Sequence, residues 1–209
     1  MRFLLLLSLL ATAAISQPPI GLLYGLAPDD PTGWRSGTAT REASCCLVEW
    51  RGEPVVLTAG HVVADVPSLM VVGADGRETI GAVTRYARDD RHDIGALRPA
   101  AAPYLRALPL AQRMPPVGTA CWWWGTDGRG RPISRQVMVR ATGDLGDPAD
   151  PGLGWLGISV PQGIDAGCSG GPVVTGAGEL IGITSNAGWY GKERVVWCAS
   201  LWQIREVPR

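Results

Sequence analysis

The chain has 209 residues, and its 19 lysine and arginine side chains are balanced by 19 aspartate and glutamate side chains. Because the formal net charge is zero and no run of basic residues occurs, nucleic acid and anionic membrane surfaces are not expected as partners. The length suffices for one domain, or for two small subdomains that share a core, and leaves no room for an additional binding module.

The N-terminal segment has the pattern of an export signal. Met1–Arg2 supplies positive charge, and residues 3–15, FLLLLSLLATAAI, form an uncharged apolar run. This run is shorter than the about 20 residues that cross a bilayer, so it indicates a signal peptide rather than a membrane anchor. Small residues favour a cut before Gln17, with cuts two or three residues earlier as alternatives. We therefore expect a signal peptide over residues 1–16 and a secreted or periplasmic protein without stable membrane insertion.

Downstream of the signal, short apolar runs separated by Gly, Pro and Asp clusters predict an all-β chain. Residues 17–35, which include four prolines, are interpreted as an extended N-terminal segment that precedes one domain over residues 36–209. The Pro-rich stretch Pro99–Pro116 is the natural connection between two β halves, at about 36–110 and about 117–200. The predicted elements are strands at Cys46–Trp50, Val55–Thr58, Ser68–Val72, Thr79–Arg85, Ile94–Arg98, Thr119–Trp124, Arg135–Arg140, Gly157–Val160, Pro172–Val174, Leu180–Thr184 and Arg194–Ala199, and a short C-terminal helix at Leu201–Val207.

The sequence contains five cysteines, namely Cys45, Cys46, Cys121, Cys168 and Cys198. In an exported chain up to two disulfides are possible, and at least one thiol must then be left over or pair between molecules. The cysteines form no CxxC pair and only two histidines accompany them, so no metal site is expected. Buried, inert thiols are the favoured interpretation.

Three segments place reactive side chains where a strand ends, begins or turns. LTAGHVV delivers His61 to the end of an apolar strand, HDIGAL opens a strand with Asp93, and GCSGGP holds Ser169 in a glycine-dense turn. A single histidine is usually structural, and an aspartate before a strand is often a turn residue. His92 is expected at the surface. The three segments in this order are a far stronger signal than any one of them.

Together they resemble the motifs of the trypsin/chymotrypsin family, T-A-[AG]-H, D-[IV]-A-L and G-D-S-G-G-P, in the same chain order. The spacings of 32 and 76 residues are similar to those of compact bacterial members such as the HtrA-like peptidases. The resemblance implies two six-stranded antiparallel β-barrels with a short C-terminal helix. It also implies a serine endopeptidase that hydrolyses protein or peptide substrates through an acyl-enzyme, without a cofactor or a metal ion.

The resemblance further implies a role for each site residue. Ser169 attacks the scissile carbonyl, His61 transfers the proton, and Asp93 orients the imidazole and stabilises its cation. The backbone N–H groups of Gly167 and Ser169 form the oxyanion hole. The residues expected to bind the substrate are Ser185, Asn186, Ala187 and Gly163, and the Ser185 hydroxyl is also expected to contact Asp93.

Cys168 departs from the family pattern. Animal digestive enzymes have an aspartate at this position that pairs with a newly cleaved N-terminus, so we expect activity here that does not depend on such cleavage. Cys168 as the nucleophile is an alternative, disfavoured because two glycines follow Ser169 directly. A disulfide between Cys168 and Cys198, which would brace the nucleophile turn, is a further hypothesis.

Specificity and function leave alternatives open. Gly163 stands where trypsin-type enzymes use aspartate, which favours a small or medium apolar side chain in the primary pocket. Asp165 would instead favour Arg or Lys if the loop length differs. Trp122–Trp124 are expected to pack in the core rather than to form a carbohydrate or peptide platform. The alternative functions are a catalytically weak protease-fold binding protein and an esterase that uses the same triad.

Overall fold

The computed structural model describes residues 19–26, 41–64, 68–73, 79–89, 92–99, 105–127, 130–142, 154–161, 164 and 167–207. Within these residues, strands β1 to β12 form two closed six-stranded barrels, and one short helix follows them. The predicted fold class is therefore confirmed. The predicted signal peptide at 1–16 lies outside the described residues, as does Gly163.

The first barrel has the strand order β1-β2-β3-β6-β5-β4, and all of its neighbouring strands are antiparallel. Leu and Val side chains that alternate along these strands fill the interior, among them Leu23, Val56 and Leu97. Its strands are β1 Gly21–Leu26, β2 Arg41–Trp50, β3 Glu53–Ala59, β4 Ser68–Gly73, β5 Thr79–Asp89 and β6 Ile94–Pro99.

The second barrel has the order β10-β11-β12-β9-β8-β7, again antiparallel throughout. The helix that follows is capped by Ser200, whose backbone N–H donates to Gln203 Oε1 at 2.6 Å and so gains a partner at the helix start. The elements are β7 Ala120–Thr126, β8 Pro132–Ala141, β9 Leu156–Ser159, β10 Pro172–Val174, β11 Leu180–Tyr190, β12 Glu193–Ser200 and α1 Leu201–Glu206.

Strand β1 differs from the sequence-based prediction. It lies inside the segment 17–35 that was interpreted as a lead-in before the domain, yet it pairs with both β2 and β4 and closes the first barrel. The prolines flank this strand rather than interrupt it, and Ile20 and Leu23 are fully buried. The first barrel therefore includes residues 21–26, and a domain boundary at residue 36 leaves out one of its strands.

A separate apolar cluster joins the two barrels. It combines Leu57 and Ile94 of the first barrel with Ile183 of the second and Ile204 of α1. The connecting segment is fastened to both halves, because Leu108 N–H donates to the Leu47 carbonyl and Leu180 N–H donates to the Pro109 carbonyl, each at 2.8 Å. The site described below lies along this junction.

The three consecutive tryptophans alternate in direction, as side chains on a strand must. Trp123 is fully buried in the core of the second barrel, where its indole N–H donates to Thr184 Oγ1 at 3.0 Å. Trp124 packs against the cluster between the barrels. Trp122 points to solvent and is 39% exposed, so core packing was the correct expectation for two of the three rings. Within the described ranges, no helix has the length and apolar character needed to cross a bilayer.

Candidate active site

The turn that carries Ser169 is fastened to β11 on its C-terminal side. Gly170 N–H donates to the Thr184 carbonyl at 2.8 Å, and Thr184 N–H donates to the Gly171 carbonyl at 2.9 Å. Gly170 has φ +86, a left-handed conformation that other residues adopt only at a cost. The glycines in the motif therefore let the turn fold tightly enough to present the Ser169 hydroxyl at the junction between the barrels.

His61 and Asp93 are brought together by the close approach of β3 and β6. His61 lies in a single 3-10 turn, Gly60–Val62, that directly follows β3. Gly60 N–H donates to the Asp93 carbonyl at 2.8 Å, and a Cβ at Gly60 would lie only 3.0 Å from the Ile94 backbone nitrogen. The small residue that precedes the histidine is thus required by the contact between these two strands.

A continuous chain of hydrogen bonds links four side chains. His61 Nδ1 lies 2.8 Å from Asp93 Oδ2, and His61 Nε2 lies 3.1 Å from Ser169 Oγ. When Nδ1 carries the proton that it donates to the carboxylate, Nε2 is free to accept the proton of the serine hydroxyl. The Ser185 hydroxyl donates to Asp93 Oδ2 at 2.5 Å, as expected from the sequence. The His61 ring is 52% exposed, so substrate can reach it, whereas the Asp93 side chain is only 21% exposed.

Asp93 is held ionised by its donors. Burial by itself raises the pKa of Asp93, but hydrogen bonds from the His61 ring, the Ser185 hydroxyl and the His61 backbone N–H outweigh burial and lower it below its ordinary value. The backbone N–H bond, 2.7 Å long, reaches Oδ1. A carboxylate that stays charged can orient the imidazole and stabilise its cation.

The prediction that His92 lies at the surface is wrong. His92 is buried, its Nδ1 contacts Asp89 Oδ2 at 2.5 Å, and its backbone N–H donates to Asp89 Oδ1 at 3.2 Å. The neighbouring Asp93 has φ +52, which is uncommon outside glycine. The contact with Asp89 thus fixes the residue directly before this left-handed aspartate.

Gly167 adopts a backbone conformation that strongly favours glycine. Its φ is +93, and a Cβ at this position would lie 2.9 Å from Thr126 Oγ1. In the part of the chain that the structure describes, neither Gly167 N–H nor Ser169 N–H donates to a protein acceptor. Both groups can therefore donate to an oxygen that substrate brings to the Ser169 hydroxyl.

Strand β2 of the first barrel clamps the turn of the second barrel that carries Ser169. Ser44 N–H donates to the Ser169 carbonyl at 2.9 Å, and Ser44 Oγ donates to the Gly167 carbonyl at 2.7 Å. The Ser44 carbonyl in turn accepts the Thr58 hydroxyl at 2.8 Å. The Gly167 and Ser169 carbonyls are thereby directed toward the first barrel, which fixes the peptide unit that follows each of these two residues.

The cysteines are buried free thiols, so the hypothesis of a disulfide between Cys168 and Cys198 is wrong. Cys168 instead donates through its thiol to the Thr126 carbonyl at 3.1 Å and tethers the nucleophile turn to β7. Burial raises the pKa of Cys45 and Cys198 to about 12 and that of Cys121 to about 11. The expectation of buried, inert thiols agrees with this structure.

The expected substrate-binding residues of β11 form a strand segment that leads away from Ser169. The Ser185 carbonyl lies 3.4 Å from Ser169 Oγ, and Asn186 and Ala187 follow it as exposed residues. Among the described residues, no group of three or more His, Cys, Asp or Glu side chains comes together in a way that could hold a metal ion.

The sequence singled out three side chains that meet in the structure, but not the hydroxyl groups that hold the backbone around them. Ser44, Thr58 and Thr184 are almost completely buried although they occur in otherwise apolar strands, and each hydroxyl donates to a backbone carbonyl. A buried hydroxyl needs a hydrogen-bond partner, because its desolvation without one costs free energy. Hydroxyl residues within the apolar strands were therefore the signal that could have identified them.

Two six-stranded antiparallel barrels, with a serine, a histidine and an aspartate meeting between them, define the chymotrypsin-like class of fold. A family model for the trypsin-like peptidase domain matches residues 43–183, more than half of the chain. The chain therefore belongs to the trypsin-like peptidase family, and the predicted enzyme class, serine endopeptidase, is confirmed at the level of the family. No curated protein sequence matches it significantly.

Solved structures share the fold at low sequence identity. A serine endoprotease from Yersinia pestis is 20% identical with a TM-score of 0.70, and the match covers 90% of this chain and 60% of that one. The active form of a protease from M. tuberculosis is 19% identical with a TM-score of 0.70, covering 93% and 81%. The HtrA-type protease AlgW with tripeptide is 21% identical with a TM-score of 0.68, covering 91% and 61%. The chain thus spans less than two thirds of the length of the first and third of these proteins.

Proposed function

We propose that this protein is an exported serine endopeptidase in which Ser169 is the nucleophile, His61 carries the proton and Asp93 orients the imidazole. The observation that carries the proposal is the unbroken series of hydrogen bonds from Ser185 through Asp93 and His61 to Ser169. Each neighbour in this series holds the next in the tautomer and orientation that nucleophilic attack needs.

Hydrolysis then proceeds in two proton-balanced halves. Ser169 Oγ attacks the scissile carbonyl carbon while its proton moves to His61 Nε2, and the carbonyl oxygen becomes an oxyanion held by the N–H groups of Gly167 and Ser169. His61 gives the proton to the leaving amine, which departs and leaves an ester on Ser169. A water molecule repeats the attack, passes its proton to His61 and releases the acid, and His61 returns the proton to Ser169.

The export and activation parts of the proposal rest on other features. Residues 1–16 have the charge and apolar pattern of a signal peptide, which supports a secreted or periplasmic protein. The thiol of Cys168 ties the nucleophile turn to Thr126 within the second barrel. Because that tether involves no N-terminal amine, the enzyme is active without cleavage to a defined new N-terminus.

Labelling of the purified protein with a fluorophosphonate probe, followed by a peptide library, tests the proposal. Ser169→Ala should abolish labelling and lower peptide hydrolysis by about 10⁴- to 10⁶-fold, whereas the matched control Ser134→Ala should keep both. A wild-type protein that is never labelled would favour the binding-protein alternative. A labelled protein that cleaves esters and no library peptide would favour the esterase.

A further inference from the structure

Strand β11 changes from buried to mostly exposed after Ser185. Residues from Leu180 to Ser185 are buried, whereas those from Asn186 to Tyr190 are exposed or half-buried. β10 pairs with β11 only as far as Ile183, while β12 pairs with the opposite edge all the way to Tyr190. Among the described strands, the outer half of β11 is therefore hydrogen-bonded along one edge only, and its other edge is open.

The open edge begins beside the nucleophile. Ser169 Oγ lies 3.4 Å from the Ser185 carbonyl. When the carbonyl of the scissile bond contacts that hydroxyl, the substrate residue directly before the scissile bond therefore lies opposite Ser185. A peptide added antiparallel to an exposed edge keeps this register, since both strands advance about 3.4 Å per residue. Its third residue then lies opposite Ala187 and its fifth opposite Trp189.

Trp189 is the most exposed large hydrophobic side chain among the described residues, at 69%. Its neighbour Tyr190 is held edge-to-face against Trp197, with ring centroids 6.2 Å apart. The Trp197 ring also lies over Gly188, where a Cβ would be 2.8 Å from its Nε1. Residues that alternate along a strand face opposite sides, so Trp189 points away from this aromatic packing. An exposed indole that continues a binding edge is a contact surface for what binds there.

The residues expected to bind substrate, Ser185 to Ala187, lie at the start of this edge. We propose that Trp189, at its outer end, selects a large apolar side chain at the fifth substrate residue before the scissile bond. The occupant is the substrate polypeptide itself, because the edge is continuous with the nucleophile site. Directly opposed residues of an antiparallel pair have Cβ atoms about 4.5 to 5.5 Å apart, which brings that side chain onto the indole. The inference rests on the proposed function, since the register is counted from Ser169.

Fluorogenic hexapeptide libraries test this assignment. The fifth residue before the scissile bond is fixed as Phe, Leu, Gly or Lys in separate pools, and every other position is randomised. Wild-type protein should hydrolyse the Phe and Leu pools about tenfold faster than the Gly pool, the discrimination expected of one apolar contact. Trp189→Ala should bring the ratio of the Phe rate to the Gly rate within about twofold of one, whereas Trp189→Phe should retain the preference.

Trp122→Ala is the matched control, because Trp122 is also an exposed tryptophan of the second barrel but lies on the outer face of β7. This variant should keep the wild-type ratio. If the wild-type shows no preference at the fifth position, or Trp189→Ala retains it, the inference is overturned while the proposed function stands. If the wild-type protein is not labelled by a fluorophosphonate, the proposed function itself fails.

Discussion

Asp93 combines a demanding backbone conformation with a chemical role. Its φ of +52 is adopted by Asn and Asp several-fold more readily than by other non-glycine residues. Its carboxylate accepts from the His61 ring, the His61 backbone and Ser185. The identity of the residue here is therefore constrained twice, once by the turn and once by the charge.

Substitutions at this position should separate the two constraints. Asp93→Asn keeps a residue that tolerates the left-handed region but loses the charge, so it should lose only the stability that the ionised carboxylate contributes, while the fluorophosphonate labelling rate falls by about 10⁴-fold. Asp93→Ala should lose the charge and also add strain of about 1 to 2 kcal/mol. Thermal melts and labelling kinetics measure both effects. An alanine variant that melts as high as the asparagine variant would show that the conformation carries no strain.

Ser185→Ala should raise the pKa of Asp93. Burial already raises this pKa and the Ser185 hydrogen bond opposes it, so removing the hydroxyl leaves burial less opposed. A carboxyl whose folded pKa is depressed contributes stability above its unfolded value, about 3.9, and loses it as pH falls through the folded value. The acid-induced loss of stability should therefore still begin near the unfolded value, but it should be smaller in the variant and complete at a higher pH. A carboxyl ¹³C titration measures the pKa of Asp93, and thermal melts across pH 2 to 6 measure the loss of stability. An unchanged pKa of Asp93 in the variant would contradict the prediction.

Three side chains that meet in the structure could be predicted from the sequence, because each lies in a short local pattern. His61, Asp93 and Ser169 could be read from the residues next to them in the chain. The clamp by Ser44 could not, since its partners Ser169 and Gly167 are more than 120 residues away and no local pattern identifies them. The burial of His92 was missed although its partner Asp89 lies only three residues earlier, because their contact forms only where the chain turns from β5 into β6.

At the scale of elements, the nucleophile turn is shaped by the strands around it. A Cβ at Gly170 would lie 2.0 Å from the Ser44 carbonyl oxygen and 2.2 Å from Thr58 Oγ1. A Cβ at Gly171 would lie 2.1 Å from the Trp124 carbonyl oxygen. The two glycines are thus required by backbone that approaches from β2 on one side and from β7 on the other.

Gly170→Ala should consequently destabilise the protein and abolish labelling. Left-handed strain costs about 1 to 2 kcal/mol, and overpacking costs about 1 to 3 kcal/mol more. Gly178→Ala is the control for strain alone, because Gly178 also has positive φ but nothing within 4 Å of the added Cβ. Urea melts should rank Gly170→Ala well below Gly178→Ala. Equal stabilities would exclude the clash as the cause.

Eleven of the strands could be predicted because apolar runs bounded by turn residues are a local signal. β1 could not, since its sequence GLLYGL lies between proline-rich stretches and becomes a strand through its pairing with β2 and β4. The outer half of β11 was also missed, because Asn, Ala and Gly have weak strand propensity there. Its pairing with β12 supplies the hydrogen bonds that propensity does not predict.

At the scale of the whole molecule, the two barrels and the core between them exclude water from all five thiols. Burial raises the pKa of Cys46 as well as those of Cys45, Cys121 and Cys198. Thiol reagents react with the thiolate, so the raised pKa and the burial of these thiols both slow the reaction.

A chromogenic thiol reagent should therefore find no reactive group in the native protein and five in denaturant under non-reducing conditions. The reactive fraction should rise with the same midpoint as the loss of secondary structure in a urea titration, because exposure requires unfolding. Fewer than five thiols in denaturant would reveal a disulfide. Rapid reaction of the native protein would contradict the burial described above.

The hydrogen bonds between Ser44 and the turn that carries Ser169 also determine the stage of synthesis at which the candidate site is completed. His61 and Asp93 belong to the first half of the polypeptide, whereas Ser169 and the strand that carries Ser185 follow later. A chain synthesised from its N-terminus completes its first barrel early, but the two N–H donors are fixed only when the second barrel docks on β2. Under the proposed function, the chain therefore becomes able to hydrolyse peptide bonds only after the second barrel has been synthesised and has docked.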